Sequence, residues 1–257
     1  TIGRISWTGV PIVAANMATI GTLEMAEALS KYQWLTCLHK HYTAEEILSL
    51  SYHGQYFSAP TIGLDTTSQQ TFRQVMKSEN KFKFVCIDVA NGYIDNFSEL
   101  VYNIRQEYGE RVNIIAGNVV TPEGVNLLCK AGADFIKVGI GPGSACTTRK
   151  MTGVGFPQFS AVQNCAKEAQ NNPSRLGIVA DGGCVHPGDV AKAFAAGAQM
   201  VMIGGMLAGH DECGGWEFDY NTNTMVPTFY GMASEHAMKT HYNQRNSYRA
   251  AEGKRVI

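Results

Sequence analysis

The sequence lacks a dominant charge: 21 Lys and Arg stand against 22 Asp and Glu, a formal net charge of −1 over 257 residues. Without a basic excess there is no field to hold a phosphodiester backbone or an anionic membrane surface. Neither nucleic acid nor a membrane is therefore expected as a partner. Nor does any apolar run approach the length of a bilayer span. The seven Cys are odd in number and scattered through apolar runs, which excludes a disulfide framework and suits a reducing compartment. A cytoplasmic location follows as the expectation. The start, Thr1-Ile2-Gly3-Arg4, has neither an initiator Met nor a signal peptide, so the chain is expected to be part of a longer protein.

What is present is a rhythm. Short apolar, β-branched runs occur at Val10–Asn16, Trp34–His39, Phe57–Leu64, Phe84–Val89, Val112–Asn118, Phe135–Ile140, Leu176–Asp181 and Met200–Ile203. Runs apolar on both faces are the mark of strands in a covered parallel sheet, and these recur about every 25 residues, the length of a βα unit. Helix signals lie between them. Thr43 and Glu46 form a capping box. Thr121-Pro122 is an N-cap followed by Pro at the first helical position. Gly132 and Gly197 fall where helices stop. Phe159, Val162, Ala166 and Ala169 are expected on one buried helical face, as are Val190, Ala191, Phe194 and Ala195. The pattern Val120, Pro122, Val125, Ala131, Gly132, Ala133, Gly139 returns as Val185, Pro187, Val190, Ala196, Gly197, Ala198, Gly204. Such a repeat points to a closed or stacked array.

Eight βα units in this length predict a single α/β domain over 1–257, a TIM (β/α)8 barrel. Its sixth connection is long, and a flap of about residues 209–257, read as a hairpin and a short helix, follows the eighth strand. No eighth barrel helix is evident, so closure is expected from sequence beyond Ile257.

Barrels of this kind place their chemistry at the strand C-termini. There the sequence offers Asn16, His39-Lys40-His41, Asp88, Gly117-Asn118, Gly139–Cys146, Asp181-Gly182-Gly183 and Gly204-Gly205. The glycines after the seventh and eighth strands suit backbone N–H contacts to a phosphate, and Asp181 suits ribose hydroxyls. The long sixth loop presents Cys146 among hydroxyls and Arg149. A nearby cation favours the thiolate, so Cys146 is the candidate nucleophile, whereas Cys86, Cys129 and Cys165 read as packing residues. Cys37, His39 and His41 alternate, but no matching ligand group accompanies them, and polar site lining is the stronger reading.

These pieces resemble the IMP dehydrogenase/GMP reductase family, on its reductase side. The resemblance rests on Val10–Met17, Leu38–Tyr42, Val85–Gly92, Ile115–Thr121, Lys137–Lys150, Thr152–Gln158, Asp181–Gly183, Pro187–Phe194, Ile203–His210, Tyr230–Met232 and Tyr248–Lys254. It implies NADPH-dependent reductive deamination of GMP to IMP in purine interconversion, by a cytosolic barrel that is usually a homotetramer. It further implies that Cys146 attacks purine carbon 2 to form a thioimidate, with Thr148 and Glu252 moving the protons of the departing ammonia. Nucleotide contacts are implied at Asp181, Gly182, Gly183, Gly204, Gly205, Gly231, Met232, Ala233, Arg249, Ala250, Ala251 and Gly253. Cofactor contacts are implied at Lys40, Asp88, Val89, Ala90, Ile140, Gly141, Met232, Tyr248 and Arg249. Gly141, Gly143 and Arg149 are implied as backbone ligands of a monovalent cation, K+.

Three departures stand out: Ala18 where the family commonly has Asp, Ala233 where Ser is usual, and a small insertion at Asn171–Ser174. The dehydrogenase branch is the nearest alternative. It usually inserts a domain after the second βα unit and carries an Arg-Tyr pair in its flap, and neither is found here. A flavin-dependent barrel, or a lyase using Lys40 or Lys137, leaves Cys146 with Thr148 and Glu252 unexplained. A non-catalytic nucleotide sensor is the remaining alternative, motivated by Ala18 and Ala233.

Overall fold

The computed structural model describes residues 3–172, 176–220, 223–231 and 234, together with the backbone of 255–256. Nine strand segments form one parallel sheet: β1 (Val10–Ala14), β2 (Trp34–Cys37), β3 (Ser58–Ala59), β4 (Thr61–Ile62), β5 (Phe84–Asp88), β6 (Asn113–Val119), β7 (Phe135–Val138), β8 (Gly177–Asp181) and β9 (Met200–Ile203). Their order runs β3-β2-β1-β9-β8-β7-β6-β5-β4. The two ends of that order are the two halves of one barrel strand, separated only by Pro60. Leu38 N donates to Ala59 O at 2.9 Å on one side, and Cys86 N donates to Pro60 O at 3.0 Å on the other. The sheet therefore closes on itself through Pro60, which gives the eight-stranded barrel.

Alternation along each strand sorts the side chains. Inward-facing Val13, Leu35, Cys37, Phe84, Cys86, Ile115, Phe135, Val179, Met200 and Met202 fill the barrel. The outward set packs under the helices; a large cluster joins Ile87, Ile114, Ile136 and Ile178 to Phe97, Ile104, Leu128 and Val162. At the N-terminal rim Trp7 meets Phe84 edge-on at 5.3 Å and Phe57 at 5.7 Å. Asn113, itself buried, holds that segment down: its Oδ1 accepts from Arg4 N and Ile5 N at 2.8 and 3.0 Å, and its Nδ2 donates to Ile5 O.

The helices are α1 (Leu23–Ser30), α2 (Ala44–Leu48), α3 (Tyr52–Tyr56), α4 (Thr66–Lys77), α5 (Asp95–Tyr108), α6 (Pro122–Ala131), α7 (Thr148–Thr152), α8 (Gln158–Asn171) and α9 (Pro187–Ala195). The Thr43/Glu46 capping box is present at α2, and Thr121 caps α6 ahead of Pro122. The internal repeat is a repeated helix: α6 and α9 both begin on Pro, and Gly132 and Gly197, at φ +101° and +103°, follow them.

Two short helices lie between Tyr42 and Phe57, because Ser51 caps a new start by accepting from Gly54 N. Two expectations are corrected. Phe159 is not on the buried face of α8. It is 49% exposed, while Ala161, Val162, Cys165, Ala166 and Ala169 form that face. On α9, Val190, Ala193 and Phe194 pack toward the sheet while Ala191 and Ala195 are exposed, a face turned one residue from the expected one.

The expected hairpin after the last barrel strand is there: β10 (Trp216–Asp219) pairs antiparallel with β11 (Thr224–Pro227). β12 (Phe229–Tyr230) pairs with β13 (Arg255–Val256). The short flap helix expected in this region is not formed among the described residues. Among them, too, no helix is long and apolar enough to cross a membrane.

Candidate active site

The C-terminal rim gathers the loops after β5, β7, β8 and β9. The loop after β7 carries Cys146 and is pinned at both ends. At its root, Gln158 Nε2 donates to Val138 O at 2.8 Å and to Asp181 O at 3.1 Å. Gly139 (φ +150°) lies so close to β8 that an added Cβ would stand 2.2 Å from Asp181 O. Only glycine serves there. Farther out, the stem of Arg149 runs between Gly141 and Gly155; added Cβ atoms would come within 2.6 and 2.5 Å of its Cγ. Its guanidinium donates to Ile140 O at 3.4 Å and Phe156 O at 2.5 Å. Arg149 thus ties the loop's two limbs together. The bonds of its guanidinium run to carbonyls of the loop.

Cys146 N donates to Gly143 O at 3.0 Å, and the Cys146 thiol donates to Thr148 Oγ1 at 3.1 Å. Cys146 is half-buried, whereas Cys86 and Cys165 are fully buried packing residues. Burial pushes the Cys165 thiol up to about 12.

The glycine corners fall against this loop. A Cβ on Gly182 would stand 3.0 Å from Pro142 and 3.2 Å from Gly143 N; one on Gly205 would stand 3.1 Å from Ser144 Oγ. Gly204 lies over Met17, and Gly204 and Gly205 both lie beside Phe229. Asp181-Gly182-Gly183, Gly204-Gly205 and the Cys146 loop therefore share one corner of the mouth, and Gly231, which directly follows β12, is also among the described residues.

The opposite side of the mouth holds the residues expected around a cofactor. Lys40 Nζ pairs with Asp65 Oδ2 at 2.9 Å. A Cβ on Gly63 would stand 3.1 Å from Asp65 Oδ2, 3.4 Å from that Nζ and 3.5 Å from Asp88 O, so Gly63 sits between Lys40 and the end of β5. Asp65 sits low in the carboxylate range: burial pushes it up, but Ser68 N and Lys40 outweigh burial. Val89 is held to β6 through Gly117 O and Asn118 N, and Ala90 is exposed. Ile140 is buried in the outer core, so only its backbone can face a ligand.

His39 is buried and stacks on Tyr42 with centroids 3.9 Å apart. Among the described residues no group of three His, Cys, Asp or Glu side chains could hold a metal. A cation at Gly141, Gly143 and Arg149 would have to rest on backbone carbonyls. Ala18 is buried against Tyr230. Met232, Ala233, Tyr248, Arg249, Ala250, Ala251, Glu252 and Gly253 lie outside the described residues, as does part of the Asn171–Ser174 insertion.

Three residues organise this rim in ways that the sequence did not assign. They are Gln158, Asn118, whose Nδ2 donates to Gly139 O at 2.6 Å and Asp181 Oδ2 at 2.8 Å, and Lys137. A fully apolar strand interrupted by one Lys was the available signal.

A family model described as the IMP dehydrogenase / GMP reductase domain matches residues 4–257. The GMP reductase of Phytophthora infestans is 49% identical over 98% of this chain and 69% of its own length. That of Klebsiella pneumoniae is 50% identical over 98% of this chain and 73% of its own. GMP reductase 2 of Bos taurus is 49% identical over 97% and 72%. Matched along nearly its whole length, with the barrel and the cysteine loop in place, the chain belongs to the IMP dehydrogenase/GMP reductase family of oxidoreductases.

Proposed function

We propose that the protein reduces GMP to IMP with release of ammonia, using NADPH, and so serves purine interconversion in the cytosol. The observation that carries this reading is the Cys146 thiol on the Thr148 hydroxyl at 3.1 Å, beside the glycine corner of β8 and β9. The phosphate of GMP rests on backbone N–H groups of Gly182-Gly183 and Gly204-Gly205, and Asp181 accepts from its ribose hydroxyls. The Cys146 sulfur attacks carbon 2 of the purine, and the carbon–nitrogen bond to the amino group breaks. Thr148, with Glu252, delivers the proton on which ammonia departs; general acid help of this kind is worth about 10²–10⁴ in rate. A thioimidate on Cys146 is left. NADPH, when bound, supplies the hydride that replaces the sulfur at carbon 2 and frees IMP.

Lys40 and Asp88, on either side of Gly63, stand on the side of the mouth that we assign to the cofactor. The remaining contacts we assign are Val89, Ala90, Ile140, Gly141, Met232, Tyr248 and Arg249. The nucleotide side is completed by Gly231, Met232, Ala233, Arg249, Ala250, Ala251 and Gly253. A K+ ion suits the carbonyls of Gly141, Gly143 and Arg149, since hard cations take oxygen donors. We assign a homotetramer by analogy to the family.

Following NADPH absorbance in the presence of GMP tests the reading. GMP-dependent oxidation is expected, and Cys146→Ala should reduce it by on the order of 10⁴-fold or more. Oxidation of IMP by NAD, without the reductive reaction, would move the assignment to the dehydrogenase branch. GMP binding with no turnover in either direction would make the protein a sensor.

A further inference from the structure

Lys137 is the only lysine among the described residues that is wholly buried: 2% of its side chain is exposed. It points into the barrel one layer below the mouth, and β6 makes room for it. Gly117 stands where any Cβ would lie 2.6 Å from Lys137 Cβ. A buried ammonium is costly unless paired, and this one is paired twice. It donates to Asp88 Oδ1 and, at 3.1 Å, to Asp181 Oδ2. Burial alone would lower its pKa, but Asp181 and Asp88 overcome that and lift it above that of an ordinary lysine, so the charge is permanent.

The two carboxylates belong to different halves of the mouth. Asp181 stands at the nucleotide corner and Asp88 on the cofactor side. In each, one oxygen is held by the ammonium. The other, Oδ1 of Asp181 and Oδ2 of Asp88, is left for whatever enters the mouth. Asn118 fixes the held oxygen of Asp181 from the side at 2.8 Å.

We infer that Lys137 is a positioning residue that couples the two half-sites: one ammonium, shared between Asp88 and Asp181, sets how each carboxylate meets its own ligand. This rests on the function proposed above, since it takes Asp181 to bind the nucleotide and Asp88 the cofactor. Removing one carboxylate moves the ammonium fully onto the other. A tighter-held Asp181 is a poorer acceptor for ribose hydroxyls, so a change at Asp88 is felt by GMP across the mouth.

The test is a double-mutant cycle read by calorimetry of GMP binding without cofactor. Asp88→Asn should weaken GMP binding at least threefold, although Asp88 is on the cofactor side. In a Lys137→Met background the same substitution should change GMP binding by less than 1.5-fold. An equal shift in both backgrounds, or no shift in either, would overturn the coupling. If Lys137→Met does not fold, Asp88→Asn alone decides, and unchanged GMP affinity overturns the inference. Failure of the unmodified protein to bind GMP would instead overturn the proposed function, which keeps the two readings apart.

Discussion

At the scale of single residues the site is built from side chains whose bonds can be removed one at a time. Thr148→Val removes the hydroxyl partner of Cys146 while keeping its shape. We expect kcat to fall by about 10²-fold with GMP affinity unchanged, and single-turnover kinetics to locate the loss in ammonia release. Asp189 gives a prediction for pH. Its carboxylate accepts from Val185 N at 3.1 Å and His186 N at 3.0 Å at the start of α9, with Lys192 at 3.1 Å. Those bonds hold its pKa down to about 2 against an ordinary 3.8. A depressed folded-state pKa means that the carboxylate stabilises the fold above about pH 4, and that this contribution is lost as pH falls toward 2. Asp189→Asn should flatten that part of the acid limb in urea titrations; an unchanged limb would show that the cap contributes nothing.

At the scale of elements, the sequence was most legible where one local rule suffices. Thr43/Glu46 and Thr121-Pro122 each satisfy backbone donors within three residues, so their caps follow from spacing alone. Gly132 and Gly197 mark left-handed stops for the same reason. Face assignments failed where distant packing decides. Phe159 fits the α8 stripe by spacing, but it sits in the first turn, and the face that packs is set by residues 161–169. The site was legible in its glycines and in Cys146. The bonding of Arg149, Gln158 and Asn118 was not, because each reaches a carbonyl or carboxylate seven or more residues away. The Arg149 strut leads to a test at this scale. Arg149→Ala releases the Ile140 and Phe156 carbonyls, and amide exchange over residues 140–156 should quicken by about tenfold or more while β5–β9 keep their protection. Uniform exchange changes across the barrel would count against a local strut.

At the scale of the whole molecule, the barrel is held at its base as well as around its wall. Asn113 satisfies two backbone amides of the N-terminal segment under Trp7. Asn113→Ala leaves those amides without their acceptor, and unfolding in urea should show a loss of about 2 kcal/mol with an unchanged m-value. The wall itself is uneven. β5 and β6 share five residue pairs in register, whereas β4 meets β5 through two and β3 meets β2 through two. Pro60, between those halves, can offer a carbonyl but no N–H to the ring of bonds. A cylinder with one thin stave has a preferred place to part. The thin stave lies between Lys40, beyond β2, and Asp88, at the end of β5. Two of the groups assigned to the cofactor thus stand on either side of that stave, and a dinucleotide lodged between them would act as the missing stitch.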